Sequence, residues 1–265
     1  MKSQIHPTAI VSKDARIADG VYIGPYTVIG EGVSIGEGTF IGPHCFIEHS
    51  IIGKGNKIFA YASIGLPPQD YKYNNEKTQL EIGDNNIIRE FVSIHRGTLT
   101  ANGVTKVGSK CFLMANSHIG HDCIVGNGVI LVNSAALAGH VEVQDNAIIS
   151  GLCGVHQFAR IGRFVMLGGG AMVSQDIIPF VIAQGDRAKP VALNIVGLKR
   201  AGFSSEQIKN IKYAFKTLFF RGLKLSKAID ILEKENVSDE VNYIVEFCKT
   251  SKRGIARPRS FLSDE

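Results

Sequence analysis

Aliphatic residues recur at every sixth position over most of residues 5–173. A period of six fits neither the helical repeat of about 3.6 residues nor the alternation of a strand, so the chain must turn between repeats. We call these residues the aliphatic ladder. It consists of Ile5, Val11, Ile17, Ile23, Ile29, Ile35, Ile41 and Ile47, then, after a one-residue slip, Ile52, Ile58 and Ile64, then Ile82, Ile88 and Ile94, and last the run Val107, Leu113, Ile119, Val125, Leu131, Leu137, Val143, Ile149, Val155, Ile161, Leu167 and Val173.

A second position of the repeat, four residues after each ladder residue, mostly holds a small side chain. Ala, Ser, Thr and Cys replace one another there, and the position includes four of the five cysteines: Cys45, Cys111, Cys123 and Cys153. A position that accepts all four residue types requires small volume rather than reactivity, so we interpret these cysteines as packing residues.

One inward aliphatic and one inward small residue per six predict a triangular coil with three short strands per 18-residue turn. This pattern resembles the hexapeptide-repeat family. The resemblance implies an all-β left-handed parallel β-helix, an exception to the usual right-handed crossover. Its coils stack about 4.8 Å apart, the spacing of neighbouring strands. We expect this β-helix to span residues 1–189.

Two breaks in the repeat predict inserted loops near 66–81 (LPPQDYKYNNEKTQLE) and near 98–106 (TLTANGVTK). Loops of this length in a compact domain are commonly functional. If seven residues are looped out of the second break, Ile94 falls on the same face as Ile119. Both loops then leave the β-helix at one corner of the triangle.

Residues 190–265 lack the six-residue period and predict a C-terminal α-helical domain. Ser204 and Gln207 form a capping box, and apolar residues at helical spacing follow it. Further helices are predicted over 226–235 and 238–250. We expect their apolar stripes to pack in the core and the helices to cover the end or the flank of the β-helix.

Composition adds little beyond the class of a folded protein. Of the 265 residues, 45% are hydrophobic, and no apolar run is long enough to span a membrane. The amino terminus lacks the pattern of a signal peptide, so we expect a cytoplasmic protein without an integral membrane segment. The net charge of +5 fits an acidic partner such as a nucleotide or a carrier protein, and fits an ordinary solvated basic surface equally well.

Five of the eight histidines are predicted to gather on one outer face beside the two loops. His140 follows His121 by 19 residues and His156 follows it by 35, both close to multiples of the 18-residue coil. His118 and His95 flank ladder residues and should point outward, because side chains alternate along a strand. A single exposed histidine on such a surface has no functional meaning by itself, but this clustering predicts a site.

Asp122 beside His121 indicates a general base whose imidazole is oriented by a carboxylate. A backbone N–H at Gly139, one coil above, could stabilise an oxyanion. A zinc site is the alternative, since neutral imidazole is a common ligand. Cys123 argues against a mixed His/Cys site because its position points inward.

Six segments resemble the UDP-N-acetylglucosamine 3-O-acyltransferases of lipid A biosynthesis, and the resemblance extends over nearly the whole chain. The segments are HRGT (95–98), HIGHDC (118–123), LAGHV (137–141), VHQF (155–158), IAQGDRA (182–188) and GLKRAGF (197–203).

The resemblance implies a homotrimer whose active sites lie between subunits, with acyl carrier protein and UDP-N-acetylglucosamine as partners and no nucleic acid, metal or cofactor. It implies that His121 is the general base, Asp122 its orienting group and Gly139 the oxyanion donor. It places Gly169 near the floor of the acyl groove. It also implies substrate or product contacts for Asp70, Lys72, His95, His118, His140, His156 and Gln157, and contacts to the nucleotide for Asn194 and Arg200.

One departure from the family pattern concerns the nucleotide end, because Val196 and Ala201 replace an acidic and a basic residue. Arg200 remains to bind a phosphate. The alternatives are acylation of a 3-amino UDP-sugar, a zinc-dependent γ-class carbonic anhydrase and a non-catalytic β-helix scaffold. The related N-acyltransferases carry a separate amino-terminal domain, whereas here the repeat begins at Ile5.

Overall fold

A computed structural model describes residues 2–258, in which short parallel strands are followed by four helices. The strands are β1 (Gln4–Ile5), β2 (Ile10–Val11), β3 (Arg16–Ile17), β4 (Tyr22–Ile23), β5 (Val28–Ile29), β6 (Ser34–Ile35), β7 (Phe40–Ile41), β8 (Phe46–Ile47), β9 (Ser50–Ile52), β10 (Lys57–Ile58), β11 (Ser63–Leu66), β12 (Gln79–Ile82), β13 (Ile87–Ile88), β14 (Ser93–His95), β15 (Val104–Val107), β16 (Phe112–Leu113), β17 (His118–Ile119), β18 (Ile124–Val125), β19 (Ile130–Leu131), β20 (Ala136–Leu137), β21 (Glu142–Val143), β22 (Ile148–Ile149), β23 (Gly154–Val155), β24 (Arg160–Ile161), β25 (Met166–Leu167), β26 (Met172–Val173), β27 (Val181–Gln184) and β28 (Lys189–Leu193). The helices are α1 (Ile195–Arg200), α2 (Ser205–Phe219), α3 (Leu225–Glu235) and α4 (Asp239–Lys249).

Every third strand joins the same sheet, so three sheets form the walls of the predicted left-handed parallel β-helix. Sheet 1 begins with β1 and β4, sheet 2 with β2 and β5, and sheet 3 with β3 and β6. The register matches ladder residue to ladder residue, for example Ile119 to Leu137 and Leu137 to Val155. Only the last pair, β27 with β28, is antiparallel within residues 2–258.

The core is the aliphatic ladder together with the small residues that face it. From Ile23 upward the ladder residues are at most 3% exposed. The four cysteines of the small position are buried and free, and each thiol lies 3.1 Å from a carbonyl oxygen of the next coil. Burial raises the pKa of Cys111 to about 11 and that of Cys123 to about 12. The thiols therefore stay protonated, which confirms their packing role.

Both predicted loops leave the β-helix at the corner between sheet 2 and sheet 3. The first joins β11 to β12 and the second joins β14 to β15, and Ile94 pairs with Ile119 as predicted. The loop bounds differ from the predicted ones, because the first loop is shorter at both ends and the second begins and ends earlier than predicted. Residues 79–81 and 104–106 pair with each other as strand, so the connections are 67–78 and 96–103.

The three predicted C-terminal helices are confirmed to within one residue. The capping box of α2 is present, since the Ser204 and Gln207 side chains accept each other's backbone N–H. Two further elements were not predicted. Residues 189–193 form β28 across the expected boundary at 190, and Asn194 caps the short helix α1. Residues 259–265 of the predicted helical domain lie outside the described part of the chain.

The helices pack against residues of the last coils of the β-helix. The Arg163 guanidinium lies 3.8 Å from the ring centre of Tyr243, and Arg160 lies over Phe247. After α4 the chain returns to the β-helix, where the buried Asp176 accepts a hydrogen bond from the Ser251 hydroxyl. Within residues 2–258 we find no helix with the length and apolar character that crossing a membrane requires.

Candidate active site

His121 and Asp122 follow β17 at the corner from which the loops emerge. The His121 Nδ1 lies 2.8 Å from Asp122 Oδ2. Asp122 adopts the left-handed conformation of this corner, with φ of 60°. Because the carboxylate oxygen can only accept, Nδ1 carries the proton and Nε2 keeps a free lone pair. The pair therefore has the geometry predicted for a general base and its orienting carboxylate.

The Asp122 carboxylate is held from the opposite side by the second loop. The Thr98 N–H donates to Oδ1 at 2.8 Å, and the Thr98 hydroxyl donates to Oδ2 at 2.7 Å. Asp122 is 7% exposed, and its own N–H donates to the Thr105 hydroxyl. Burial alone would raise the pKa of Asp122, but the hydrogen bonds from His121 and Thr98 bring it below its ordinary value. The carboxylate thus remains ionised beside the imidazole.

Gly139 lies against the His121 ring from the coil above. A Cβ at this position would be 2.6 Å from both Nε2 and Cε1 of His121, so only glycine leaves room for the ring. Pro25 and Pro43 occupy the equivalent position of the six-residue repeat at another corner of lower coils. Because proline has no N–H, the coil does not need a backbone donor at this position. Among residues 2–258, the Gly139 N–H has no acceptor. This N–H thus belongs to a residue that packs against the Nε2 side of the His121 ring.

The other histidines surround this pair. The His140 ring meets His121 edge to face at 5.1 Å and stacks on Phe158 at 4.5 Å. Burial lowers the pKa of His140, while Asp122 and Asp70 oppose that shift. Burial also lowers the pKa of His118, and His121 adds to the effect. Both shifts favour the neutral imidazole at His118 and His140.

His95 contacts the His118 ring at 5.0 Å, but it is not the exposed side chain that the sequence predicted. It is 5% exposed, and its Nδ1 has no hydrogen-bond partner within the described residues. The alternation rule places the residue on the outer side of the strand. It does not take account of other parts of the chain that cover that side in the folded protein. Burial, followed by the charges of neighbouring histidines, lowers the pKa of His95 to about 4.

This burial predicts a loss of stability in mild acid. The pKa of His95 is about 4 in the folded chain against 6.5 ordinarily, so the unfolded chain binds the additional proton between these values. The stability that neutral His95 contributes is therefore present above pH 6.5 and is lost as the pH drops towards 4. Between pH 7 and pH 5 the wild type should lose about 2 kcal/mol more unfolding free energy than His95→Gln.

Urea unfolding at the two pH values measures this difference. The exposed His6→Gln provides the matched control and should follow the wild type. Equal pH dependence in wild type and His95→Gln would contradict a buried neutral His95.

An apolar groove of about 490 Å³ runs along the outer side of sheet 2 next to this cluster. Ala136, Ala138 and Gly154 line it with at most a methyl group each, while His118 and His156 border it. His156 and Gln157 are exposed. A groove with an apolar floor and histidines along its edge has the dimensions and chemistry to bind an extended acyl chain.

Gly169 lies at a different corner, between sheets 1 and 2. It is exposed, and a Cβ there would meet only the Gly151 carbonyl at an ordinary 3.8 Å. The turn therefore does not require glycine at this position, in contrast to Gly139.

The remaining predicted contact residues differ in the exposure of their side chains and in the hydrogen bonds that these already make. Lys72 is exposed on the first loop, and the charge of Asp70 on the same loop acts on His140, so the loop faces the cluster. Arg200 is exposed in the last turn of α1. Asn194 is 7% exposed, accepts from the Gly197 N–H and donates to the Phe164 carbonyl, so much of its hydrogen-bonding capacity is used in capping α1.

Sequence reasoning missed Thr98, Thr105 and Phe158 as parts of the site. For Thr98 and Phe158 the only available signal was their place at the ends of the segments HRGT and VHQF, and Thr105 was distinguished only by lying in the predicted loop 98–106. Nothing in the period of six places Thr98 beside Asp122, because the intervening loop has no repeat.

His121, Asp122 and His140 are the residues here that could hold a metal ion, with one potential ligand atom from each lying within 4.8 Å of the others. However, Asp122 already accepts hydrogen bonds from Thr98 and His121. Metal binding by the Asp122 carboxylate would compete with these bonds, so the donor set suits a hydrogen-bonded pair better than a zinc site.

Comparison with known proteins agrees with this architecture. Residues 14–49 and 104–139 match the bacterial transferase hexapeptide family, and residues 176–256 match the second domain of UDP-N-acetylglucosamine O-acyltransferases. The UDP-N-acetylglucosamine acyltransferase structure from Francisella novicida is 43% identical with a TM-score of 0.95, covering 97% of this chain and 95% of that one. The corresponding enzyme structure from Arabidopsis is 34% identical with a TM-score of 0.82, covering 95% of this chain and 99% of that one.

Curated relatives are closer still in sequence. The acyl-[acyl-carrier-protein]–UDP-N-acetylglucosamine O-acyltransferase of Thiobacillus denitrificans is 50% identical over 255 residues, which is 96% of this chain and 99% of the relative. The enzyme of the same name from Myxococcus xanthus is 51% identical, covering 96% of this chain and 100% of the relative.

The β-helix and the hexapeptide matches define a hexapeptide-repeat transferase. Because identity near 50% extends over almost the whole chain, the protein belongs to the UDP-N-acetylglucosamine O-acyltransferase family.

Proposed function

We propose that this enzyme transfers a 3-hydroxyacyl group from acyl carrier protein to the 3-position of UDP-N-acetylglucosamine, the first step of lipid A biosynthesis. The observation that carries the proposal is the His121–Asp122 pair beside the free Gly139 N–H, in a chain whose relatives are named for this reaction. A general base and an oxyanion donor are the two groups that acyl transfer to a hydroxyl requires.

The proposed reaction begins when His121 Nε2 takes the proton of the sugar 3-hydroxyl. The sugar oxygen then attacks the thioester carbonyl carbon, and the Gly139 N–H stabilises the oxyanion of the tetrahedral intermediate. When the intermediate collapses, the C–S bond breaks and the leaving thiolate takes the proton from His121. Asp122 keeps the proton on Nδ1 throughout and stabilises the transient imidazolium.

The remaining predicted contacts bind the two substrates in this proposal. The groove along sheet 2 holds the acyl chain, with His118 and His156 along its edge, and Gln157 follows His156 as an exposed contact. His95 supports His118 from beneath and His140 borders the reacting centre. Asp70 and Lys72 contact the sugar nucleotide, and Arg200 with Asn194 holds its phosphate end.

A transfer assay with two acceptors tests the reaction. Hydroxyacyl carrier protein is incubated with UDP-N-acetylglucosamine and, separately, with its 3-amino analogue. We expect an ester product that mild alkali cleaves. An alkali-stable amide formed only with the amino sugar would establish the alternative acceptor, and no transfer to either sugar would overturn the proposal.

We also propose a homotrimer with active sites between subunits. In support, the outer face of sheet 1 is apolar, with Phe40, Ile87 and Met166 each more than a third exposed. Apolar patches of this kind mark interaction surfaces, and a closed symmetric oligomer covers them. Light scattering should find trimers under the conditions of the transfer assay, and samples diluted to monomers should show no turnover. An active monomer would contradict the shared site.

No metal or cofactor enters this proposal. Proton transfer and oxyanion stabilisation are assigned to His121 and Gly139. Full activity after treatment with a chelator, with no stoichiometric zinc by elemental analysis, is the expected result. Zinc-dependent hydration of carbon dioxide would instead support the carbonic anhydrase alternative.

A cytoplasmic location completes the proposal. All five cysteines are free and buried, as expected for a compartment in which thiols stay reduced.

Gly169 allows a test of the acyl groove. The exposed turn at Gly169 has room for a side chain and a compatible backbone, so Gly169→Met should fold normally. If the end of the acyl chain lies here, Met fills its place and shifts the preference towards shorter donors by about 10- to 200-fold. The measurement is kcat/KM for a series of hydroxyacyl carrier proteins. An equal loss at every chain length would contradict the groove.

A further inference from the structure

The first loop, residues 67–78, carries two of the proposed contacts to the sugar nucleotide yet has few attachments to the β-helix. Asp70 and Lys72 belong to one tight turn, in which the Lys72 N–H donates to Asp70 Oδ1 and the Tyr73 N–H donates to the Asp70 carbonyl. Tyr71 at the tip of the turn is fully exposed. The orientation of this turn therefore depends on what holds its last residue, Tyr73.

Arg96 holds Tyr73 in place. The Tyr73 hydroxyl accepts hydrogen bonds from Arg96 Nε at 3.1 Å and Nη2 at 2.9 Å, and it donates to the Glu76 carbonyl at 2.9 Å. The guanidinium carbon also lies 5.5 Å from the centre of the Tyr73 ring. The hydroxyl thus uses its donor and both acceptor positions, which fixes the ring in one orientation.

The other side of the guanidinium is fixed to the β-helix. Arg96 Nη1 donates to Glu48 at 2.7 Å and to the Gly65 carbonyl at 2.8 Å. Arg96 is 6% exposed, so its charge is paired and its donors are shielded from water. The planar fork of arginine binds Glu48 and Gly65 from one nitrogen and Tyr73 from two others, an arrangement that the compact ammonium of lysine does not reproduce.

Arg96 also lies two residues before Thr98, which donates two hydrogen bonds to Asp122. A single short segment therefore contacts both the nucleotide loop and the carboxylate of the catalytic pair. This arrangement fixes the position of the loop relative to the proposed base, His121. A freely moving loop would not hold the substrate at a defined distance from it.

We infer that Arg96 is a positioning residue, which acts through Tyr73 to hold the Asp70–Lys72 turn in the orientation that binds the sugar nucleotide. The inference rests on the proposed function for the identity of the ligand. The anchoring itself rests on the contacts of Arg96 alone.

Tyr73→Phe tests this role with little risk to the fold, because it leaves the pair between Arg96 and Glu48 intact. We expect KM for UDP-N-acetylglucosamine to rise about 10-fold while kcat and KM for the acyl donor stay within about 3-fold. Amide hydrogen exchange over residues 70–76 should become faster. Arg96→Lys should act in the same direction. The matched control is Tyr71→Phe, because this tyrosine belongs to the same turn but is fully exposed.

The double variant Arg96→Lys with Tyr73→Phe should be no worse than the worse single variant, because both remove the same contact. Unchanged exchange in Tyr73→Phe would overturn the anchoring. Faster exchange with unchanged KM would overturn the role in nucleotide binding. A wild type that does not acylate UDP-N-acetylglucosamine would instead overturn the proposed function, while the exchange data would still decide whether Arg96 anchors the loop.

Discussion

His121→Ala is expected to lower kcat by about 10²- to 10⁴-fold, the range for loss of a general base. The variant should keep its fold, because His121 lies at a corner and contributes nothing to the aliphatic ladder. Its KM values should change little, since the lost interaction is made with the proton that moves in the transition state. Steady-state kinetics with both substrates, together with light scattering and circular dichroism, would measure these effects.

Two controls make this prediction specific. His6→Ala changes an exposed histidine in the first coil and should leave kcat unaltered. Added imidazole should restore part of the activity of His121→Ala, because the space left by the ring opens beside Gly139. Wild-type activity in His121→Ala would contradict the assignment of His121 as the general base.

Gly139→Ala should also reduce kcat by about 100-fold, although it adds a single methyl group. The new Cβ would lie 2.6 Å from the His121 Nε2, so the imidazole must move away from its position against Gly139, the proposed oxyanion donor. A displacement of about 1 Å at a reacting group can cost this much in rate. The backbone at Gly139 does not have positive φ, so alanine introduces no backbone strain.

Gly151→Ala is the matched control, because Gly151 occupies the same turn position at another corner. The nearest atom to a Cβ there is the Asn133 carbonyl oxygen at 3.3 Å, and no histidine lies within 4 Å. This control should keep near-wild-type kcat. If Gly139→Ala were as active as Gly151→Ala, the close contact with His121 would have no catalytic importance.

The sequence by itself determined the repeating part of the fold. One inward aliphatic residue in six, with a small residue four positions later, has one efficient packing solution, in which each ladder residue covers its equivalent in the next coil. That rule is local and repeats, so it also predicted that His121 and His140 would lie one above the other. The C-terminal helices were predicted for a similar reason, because the Ser204–Gln207 capping box and helical periodicity are short-range signals.

Only the tertiary structure decided what the two loops do. Thr98 donates to Asp122 across 24 residues and Arg96 binds Glu48 across 48, and no period relates either pair. Burial of His95, which the alternation rule had left exposed, is likewise a feature of the folded chain only. A repeat specifies backbone positions that recur, whereas these contacts occur once and depend on polar side chains that meet only after the coils have stacked. The positions of the candidate catalytic residues therefore follow from the repeat, but the hydrogen bonds that hold the Asp122 carboxylate come from a loop that interrupts it.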